Sequence, residues 1–214
     1  MDAQWLLEKA SLIIPLILSL SVHEWAHAVS AYKLGDDTAS RMGRMTLDPI
    51  VHIDPIGTLL VPLMGVPFGW AKPVPVNPAN FRPDVSMAKG MMITAAAGPA
   101  ANVVLAVLCT VVYALTFRFA PTFFVEQEAL IHLLGICINI NVVLALFNML
   151  PIPPLDGGRI VEGFVPYKWR SQWDQFSRYS PLLLLGVLMF GGGLLAWPLG
   201  LANQMLGSLI GWIV

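Results

Sequence analysis

Long apolar stretches dominate this sequence and limit what it can fold into. A helix needs about 20 residues to cross the ~30 Å hydrocarbon layer of a bilayer, and four stretches reach that length. Only 12 % of the residues are charged, against roughly a quarter in soluble domains. We therefore expect an α-helical polytopic membrane protein. The four stretches are Trp5–Tyr32, Met87–Phe117, Leu130–Leu150 and Tyr179–Trp197.

Two further apolar segments leave the number of transmembrane helices between four and six. Ile56–Val66 is too short for a helical span and contains glycine and proline, so we expect a re-entrant or β-hairpin segment between the first two core helices. Leu199–Val214 is interrupted by polar residues and glycines, and is either a further span or an interfacial helix. The chain is expected to be a single membrane-embedded domain, 1–214, with a core at about 5–160 and C-terminal helices at about 179–214.

The distribution of basic residues favours the re-entrant arrangement. If Ile56–Val66 returns to the side that it entered from, ten Lys and Arg fall on one face, and only Lys9 and Arg118 fall on the other. A full crossing would divide them eight to four. Because Lys and Arg are enriched in cytoplasmic loops, we expect a multi-pass protein of the cell membrane with its N-terminus outside. The net charge of −1 gives no indication of nucleic acid binding.

The most polar motif of the chain lies inside the first apolar stretch, and it reads His23-Glu24-Trp25-Ala26-His27. Residues four apart share one face of a helix, so both imidazoles can bind one Zn²⁺. Glu24 is placed to accept a proton from a water on that metal. Ionisable residues are costly within a span and indicate a functional site. The alternative is a polar cluster that hydrogen-bonds to neighbouring helices.

A catalytic zinc needs a third protein ligand and one open position. Asp156 follows the prolines that break the third stretch near the cytoplasmic face, and broken backbone at membrane depth is tolerated where it is buried or lines a watery cavity. A full crossing of Ile56–Val66 would bring Asp156 and His23 to opposite faces. The re-entrant arrangement therefore also favours Asp156 as the third ligand. The rival candidates are His52, Asp54 and His132, the last of which lies near the outer end of its stretch.

Six motifs follow one another along the chain: HEWAHAVSAYKLGD (23–36), GRMTLDP (43–49), HIDPIGTLL (52–60), GWAKPVPVNP (69–78), AAAGPAAN (95–102) and FNMLPIPPLDGGR (147–159). In this order and spacing they resemble the site-2 protease family of intramembrane zinc metalloproteases, in its small bacterial branch without a PDZ or CBS domain. One departure is Asp48, where the family commonly has Asn.

The resemblance implies a role for each residue that matches a motif. His23, His27 and Asp156 correspond to the metal ligands, with one Zn²⁺ per chain, and Glu24 to the catalytic base. Asn148 corresponds to an asparagine to which polarisation of the scissile carbonyl or of its oxyanion is attributed. The implied activity is hydrolysis of transmembrane substrates in regulated intramembrane proteolysis.

Several alternatives stay open at this point. Asn148 and Asn141 could instead hydrogen-bond between helices, and Gly98 and Asn102 could serve helix packing. His52 and Asp54 could be structural, contact the substrate, gate water or bind metal. The same ligands could also belong to a membrane metal transporter or metal sensor, or to an inactive relative that binds transmembrane helices. The oligomeric state cannot be inferred, because lipid-facing and partner-facing surfaces are both apolar.

Overall fold

The structure is a computed structural model that describes residues 3–64, 69–190, 193 and 195–214. Within these ranges the chain is helical and contains no strand. Short 3₁₀ or π turns occupy Pro49–His52, Pro55–Leu60, Pro78–Asn80 and Tyr167–Trp169. The α-helices are α1 (Ala3–Lys33), α2 (Thr38–Arg41), α3 (Val61–Leu63), α4 (Met87–Phe119), α5 (Pro121–Glu126), α6 (Glu128–Asn148), α7 (Asp156–Glu162), α8 (Arg170–Phe190) and α9 (Ala196–Ile213).

Three of the described helices are long and apolar enough to cross a membrane: Ser11–Lys33 within α1, the whole of α4 and the whole of α6. Helices α1, α4 and α6 correspond to the first three predicted stretches, and their ends differ from the predicted ends by at most two residues. The all-helical character is confirmed, and it is consistent with a helical membrane protein. The fourth predicted stretch, Tyr179–Trp197, includes residues 191, 192 and 194, which lie outside the described residues.

Helix α4 lies at the centre of the packing and contacts α1, α6, α7 and α9. Small and polar side chains fill the seam between α1, α4 and α6, because helices in lipid associate through close backbone approach and interhelical hydrogen bonds rather than through the hydrophobic effect. Ser19, Asn102 and Asn141 are fully buried there. At the far end of α4, the Arg118 guanidinium donates to the carbonyl of Ile213 and ties α9 to the bundle.

The parts of the chain before and after residues 65–68 lie beside each other. The amide of Lys72 donates to the carbonyl of His52 at 2.9 Å, and the amide of Trp70 donates to that of Gly57 at 3.2 Å. The Thr58 hydroxyl also donates to the carbonyl of Trp70 at 2.7 Å. The outgoing limb (52–58) and the returning limb (69–77) are thus hydrogen-bonded to each other. Residues 65–68 lie outside the described part of the chain.

Asp36 fastens the returning chain to the end of α1. Its side chain is buried and accepts hydrogen bonds from Thr38, from the amide of Asn77 and from the side chain of Asn80. Burial alone would raise the pKa of Asp36, but these hydrogen bonds outweigh it and hold the pKa below its ordinary value. The bonds keep the extended chain before Asn77 next to the helix that carries the histidine motif.

We expect Asp36→Asn to destabilise the protein by about 1–3 kcal/mol, because an acceptor oxygen becomes a donor facing donors. The pKa of Asp36 is lower in the folded state than in the unfolded state. Its ionised carboxylate therefore contributes fully to the free energy of unfolding above the unfolded pKa, and this contribution is lost as the pH falls through the folded pKa. Thermal unfolding in detergent at several pH values measures both effects. The stability difference between wild type and variant should therefore shrink at acidic pH. Asp37→Asn is the matched control, since Asp37 makes an exposed ion pair with Arg41 and such pairs contribute little.

Candidate metal centre

Helix α1 places His23 and His27 one turn apart on the face that packs against α4. Both side chains are buried, and their rings meet edge to face with centroids 4.6 Å apart. Their Nε2 atoms are separated by 3.0 Å. The pair therefore presents two ring nitrogens to a single point, as the i,i+4 spacing predicts.

Asp156 reaches this point from the first turn of α7. Its Oδ2 atom lies 3.1 Å from Nε2 of His23 and 3.4 Å from Nε2 of His27. Two glycines allow the approach, because a Cβ on Gly157 would overlap the carbonyls that follow α6, and a Cβ on Gly158 would lie 2.8 Å from the carbonyl carbon of Ile152. The chain that follows α6 thus turns back sharply enough to bring the Asp156 carboxylate to α1.

The outer nitrogens of both rings are held by α4. Nδ1 of His23 lies 2.6 Å from Oδ1 of Asn102, and Nδ1 of His27 lies 2.7 Å from the carbonyl oxygen of Thr94. A carbonyl oxygen can only accept a hydrogen bond, so Nδ1 of His27 carries the proton.

The inner atoms form a set of acceptors without a donor. A neutral imidazole that donates from Nδ1 has a lone pair on Nε2, and Oδ2 of Asp156 is buried without a hydrogen-bond partner among the described residues. A proton on one ring can point along only one of these contacts, whereas a cation at the centre satisfies all three atoms. The donor set of two imidazoles and one carboxylate is typical of catalytic zinc.

The distances fit a metal of that size. In a tetrahedral site with bonds of about 2.0–2.1 Å, neighbouring ligand atoms lie about 3.4 Å apart. The three observed separations between His23, His27 and Asp156 range from 3.0 to 3.4 Å. These residues are also the group of His, Cys, Asp and Glu in the described chain whose ligand atoms all lie within 4.8 Å of one another.

Gly98 borders the same space from α4. A Cβ at this position would lie 2.6 Å from Cε1 of His23 and 2.6 Å from Cε1 of His27, closer than real Cβ contacts. The space beside the imidazoles is therefore a cradle that a single methyl group would fill. Gly98 lies four residues before Asn102, so both belong to one face of α4.

Glu24, the predicted base, is buried next to the cluster on α1. Its Oε2 atom accepts a hydrogen bond from the amide of Val74 at 2.8 Å. Val74 belongs to the returning limb, whose position is also fixed by Arg44, which donates to the carbonyl of Lys72 at 2.6 Å. The extended limb thus holds the Glu24 carboxylate beside His23 and His27.

The rival ligand candidates lie elsewhere. Nε2 of His52 hydrogen-bonds to the carbonyl of Thr46, and Asp54 caps the turn that follows it by accepting from the amides at positions 56 and 57. His132 is exposed on α6. Asn148 is half-buried at the end of α6 and donates to the carbonyl of Leu144. Among the described residues, the Asn148 side chain makes no hydrogen bond to His23, His27 or Asp156.

Four contributors to the site are not predicted from the sequence. The Thr94 carbonyl and the Val74 amide are backbone groups, and no side-chain pattern reveals them. The sequence favours helix packing for Gly98 and Asn102, although their four-residue spacing places both on one face of α4. A polar residue one turn from a glycine in an apolar helix was the signal that could have directed attention to them.

Comparison with known proteins shows the family to which this chain belongs. The model of Peptidase family M50 matches residues 122–188. The "Putative zinc metalloprotease YwhC" of Bacillus subtilis is 41 % identical over 194 residues, which cover 88 % of this chain and 84 % of that protein. The chain belongs to peptidase family M50. The family resemblance inferred from the six motifs is thereby confirmed.

Two further relatives are longer than this chain. The "Putative zinc metalloprotease Rip2" of Mycolicibacterium smegmatis is 33 % identical over 66 % of this chain and 52 % of its own length. The "Putative zinc metalloprotease Rip3" of Mycobacterium tuberculosis is 29 % identical over 98 % of this chain and 43 % of its own length. No solved structure gave a significant match.

We expect Gly98→Ala to weaken zinc binding by at least about tenfold, the size of effect found when groups that orient ligating histidines are changed. The added methyl group displaces one or both imidazoles. Titration of the purified protein with zinc against a competing chelator measures the change. Gly135→Ala is the matched control, because nothing lies within 4 Å of a Cβ at position 135 on α6. Equal affinity in all three proteins would show that the space beside Gly98 does not hold the metal.

Proposed function

We propose that this M50 zinc metalloprotease hydrolyses peptide bonds of transmembrane substrates within the membrane, with one Zn²⁺ per chain held by His23, His27 and Asp156. The observation that carries the proposal is the convergence of three buried acceptor atoms at 3.0–3.4 Å, with the Glu24 carboxylate on the same helix. The three atoms come from α1 and α7, and α1 is long and apolar enough to cross a bilayer.

Each residue of the cluster has a separate part in the proposed reaction. Bound Zn²⁺ supplies a Lewis acid that polarises the scissile carbonyl and lowers the pKa of a water towards 7. His23 and His27 hold it through Nε2, and Asp156 holds it through Oδ2. With these three residues as protein ligands, the metal would keep room for the reacting groups.

Glu24 moves the proton in this mechanism. The carboxylate accepts a proton from the attacking water and then passes it to the nitrogen of the leaving amine, as general acid–base catalysis requires. The hydrogen bond from the amide of Val74 leaves the other carboxylate oxygen of Glu24 available for the water. Asn148 is proposed to donate a hydrogen bond to the developing oxyanion, a contribution of roughly 3 kcal/mol in other hydrolases. It has one amide hydrogen left after its bond to Leu144.

The proposed membrane arrangement is that of a single embedded peptidase domain in the cell membrane, with the metal towards the cytoplasm. The hydrogen-bonded limbs 52–58 and 69–72 support a segment that enters the membrane and returns to the same side. Lys and Arg then lie ten to two in favour of the cytoplasmic face. Labelling of an Asp84→Cys variant by a membrane-impermeant thiol reagent in intact cells would contradict this orientation, since exposed Asp84 lies in the loop assigned to the cytoplasm.

The decisive comparison is between the wild-type protein and Glu24→Gln, purified in detergent. We expect the variant to retain zinc, since Glu24 is not among the three ligands. We expect its cleavage of a transmembrane peptide to fall by about 10²–10⁴-fold, the usual contribution of a general base. Metal analysis and a gel-based cleavage assay give the two readouts. Glu126→Gln, an exposed position at the end of α5, should retain both properties.

The second candidate, a membrane metal transporter or sensor, makes the opposite prediction. Such a protein would bind zinc through the same three residues but would have no need of Glu24 as a base. It would cleave no peptide in either form, and Glu24→Gln would still carry zinc into sealed vesicles. Zinc retention with loss of cleavage in the variant alone supports the protease.

A further inference from the structure

A chain of buried side-chain amides runs from the core of the bundle to the metal centre. Asn141 on α6 and Asn102 on α4 are both fully buried. Nδ2 of Asn102 donates to Oδ1 of Asn141 at 2.7 Å, and Oδ1 of Asn102 lies 2.6 Å from Nδ1 of His23. The contact with His23 is the shortest in this chain of amides. A bond that served only to tie helices together would not need to end on a metal ligand.

Two backbone carbonyls fix the direction of every hydrogen bond in this chain. Nδ2 of Asn141 lies 2.8 Å from the carbonyl of Cys137, and Nδ2 of Asn102 lies 3.3 Å from that of Ser19. Carbonyl oxygens only accept, so each amide must turn its nitrogen towards its carbonyl and its oxygen the other way. Oδ1 of Asn102 therefore faces His23 as an acceptor, and Nδ1 of His23 must carry the proton.

From this directed chain we infer that Asn102 is a positioning residue of the metal centre, which holds His23 in the Nδ1–H tautomer with its Nε2 lone pair aimed at the metal. The inference rests on the proposed function, because it assigns Asn102 a role towards the metal that His23 is proposed to bind. Asn141 acts one step further out, since it orients Asn102. The seam between α1, α4 and α6 thus serves the chemistry as well as the packing.

The physical reason is that neutral imidazole has two tautomers of similar energy, and only one has a free lone pair on Nε2. An acceptor held at Nδ1 selects that tautomer, fixes the plane of the ring and makes Nε2 more basic. The Thr94 carbonyl is the corresponding acceptor at Nδ1 of His27 and selects the same tautomer there. Asn102 is fully buried and supplies the acceptor at Nδ1 of His23, so the choice of tautomer depends on its side chain being present and correctly oriented.

The test compares Asn102→Leu, which removes the acceptor, with Asn102→Asp, which keeps an acceptor oxygen beside His23. Zinc affinity of the purified proteins is measured by competition with a chelator. We expect Asn102→Leu to bind zinc about 10–100-fold more weakly than the wild type, as when other partners of ligating histidines are removed, and Asn102→Asp to bind more tightly than Asn102→Leu. Asn141→Leu, which leaves Asn102 in place without its orienting partner, should fall between wild type and Asn102→Leu.

Thr110→Val is the matched control. Thr110 is fully buried on α4 and its hydroxyl donates to the carbonyl of Ala106 on the same helix, so the variant loses a buried hydrogen bond without touching His23. It should keep wild-type affinity. A second readout is the ¹⁵N spectrum of the metal-free, histidine-labelled protein, in which His23 is assigned with a His23→Gln variant. The wild type should show the proton of His23 on Nδ1, and Asn102→Leu should move it towards Nε2.

Two results would overturn the inference. One is wild-type affinity and an Nδ1–H tautomer in folded Asn102→Leu; should that variant not fold, wild-type affinity in Asn141→Leu decides in the same way. The other is an equal loss of affinity in Thr110→Val. Failure of the proposed function looks different, since zinc binding would then be absent from the wild type or unaffected by His23→Gln.

Discussion

The structure depends on one electrostatic constraint. Three hydrogen-bond acceptors lie close together in a buried site, and they need a common positive partner. Nε2 of His23, Nε2 of His27 and Oδ2 of Asp156 converge within a region where the flanking helices are apolar. Such a cluster would be strongly unfavourable inside a membrane without a compensating positive charge. A divalent cation would remove that cost, and we propose that the same ion is the catalyst.

Helix α4 provides the groups that orient the two histidines of α1. It offers a space free of side chain at Gly98, a carbonyl at Thr94 for one imidazole and an amide at Asn102 for the other. The break after α6 then brings Asp156 in from a second direction. His23, His27 and Asp156 are thus held by three separate segments, and Nδ1 of each histidine donates to an oxygen atom of α4. The extended limb near Val74 completes the arrangement by holding Glu24.

The convergence of His23, His27 and Asp156 could be predicted from the sequence, because these residues stand in recognisable local patterns. His23 and His27 are related by helical periodicity, and Asp156 follows a proline-rich break that only a functional cavity would justify at membrane depth. The partners of these residues depend on how helices far apart in sequence pack, and so the 79-residue separation of His23 from Asn102 hid their contact. The backbone donors and acceptors at Val74 and Thr94 carry no side-chain signal. The fourth predicted span and the turning point of the re-entrant segment stay predictions.

X-ray absorption at the zinc edge of the purified protein tests the central claim most directly, because it reports which atoms surround the metal. Two imidazole nitrogens and a carboxylate oxygen are expected at about 2.0–2.2 Å, and one oxygen contribution should disappear in Asp156→Ala. Sulfur ligands from Cys109 or Cys137, or a spectrum that Asp156→Ala leaves unchanged, would contradict the proposed centre.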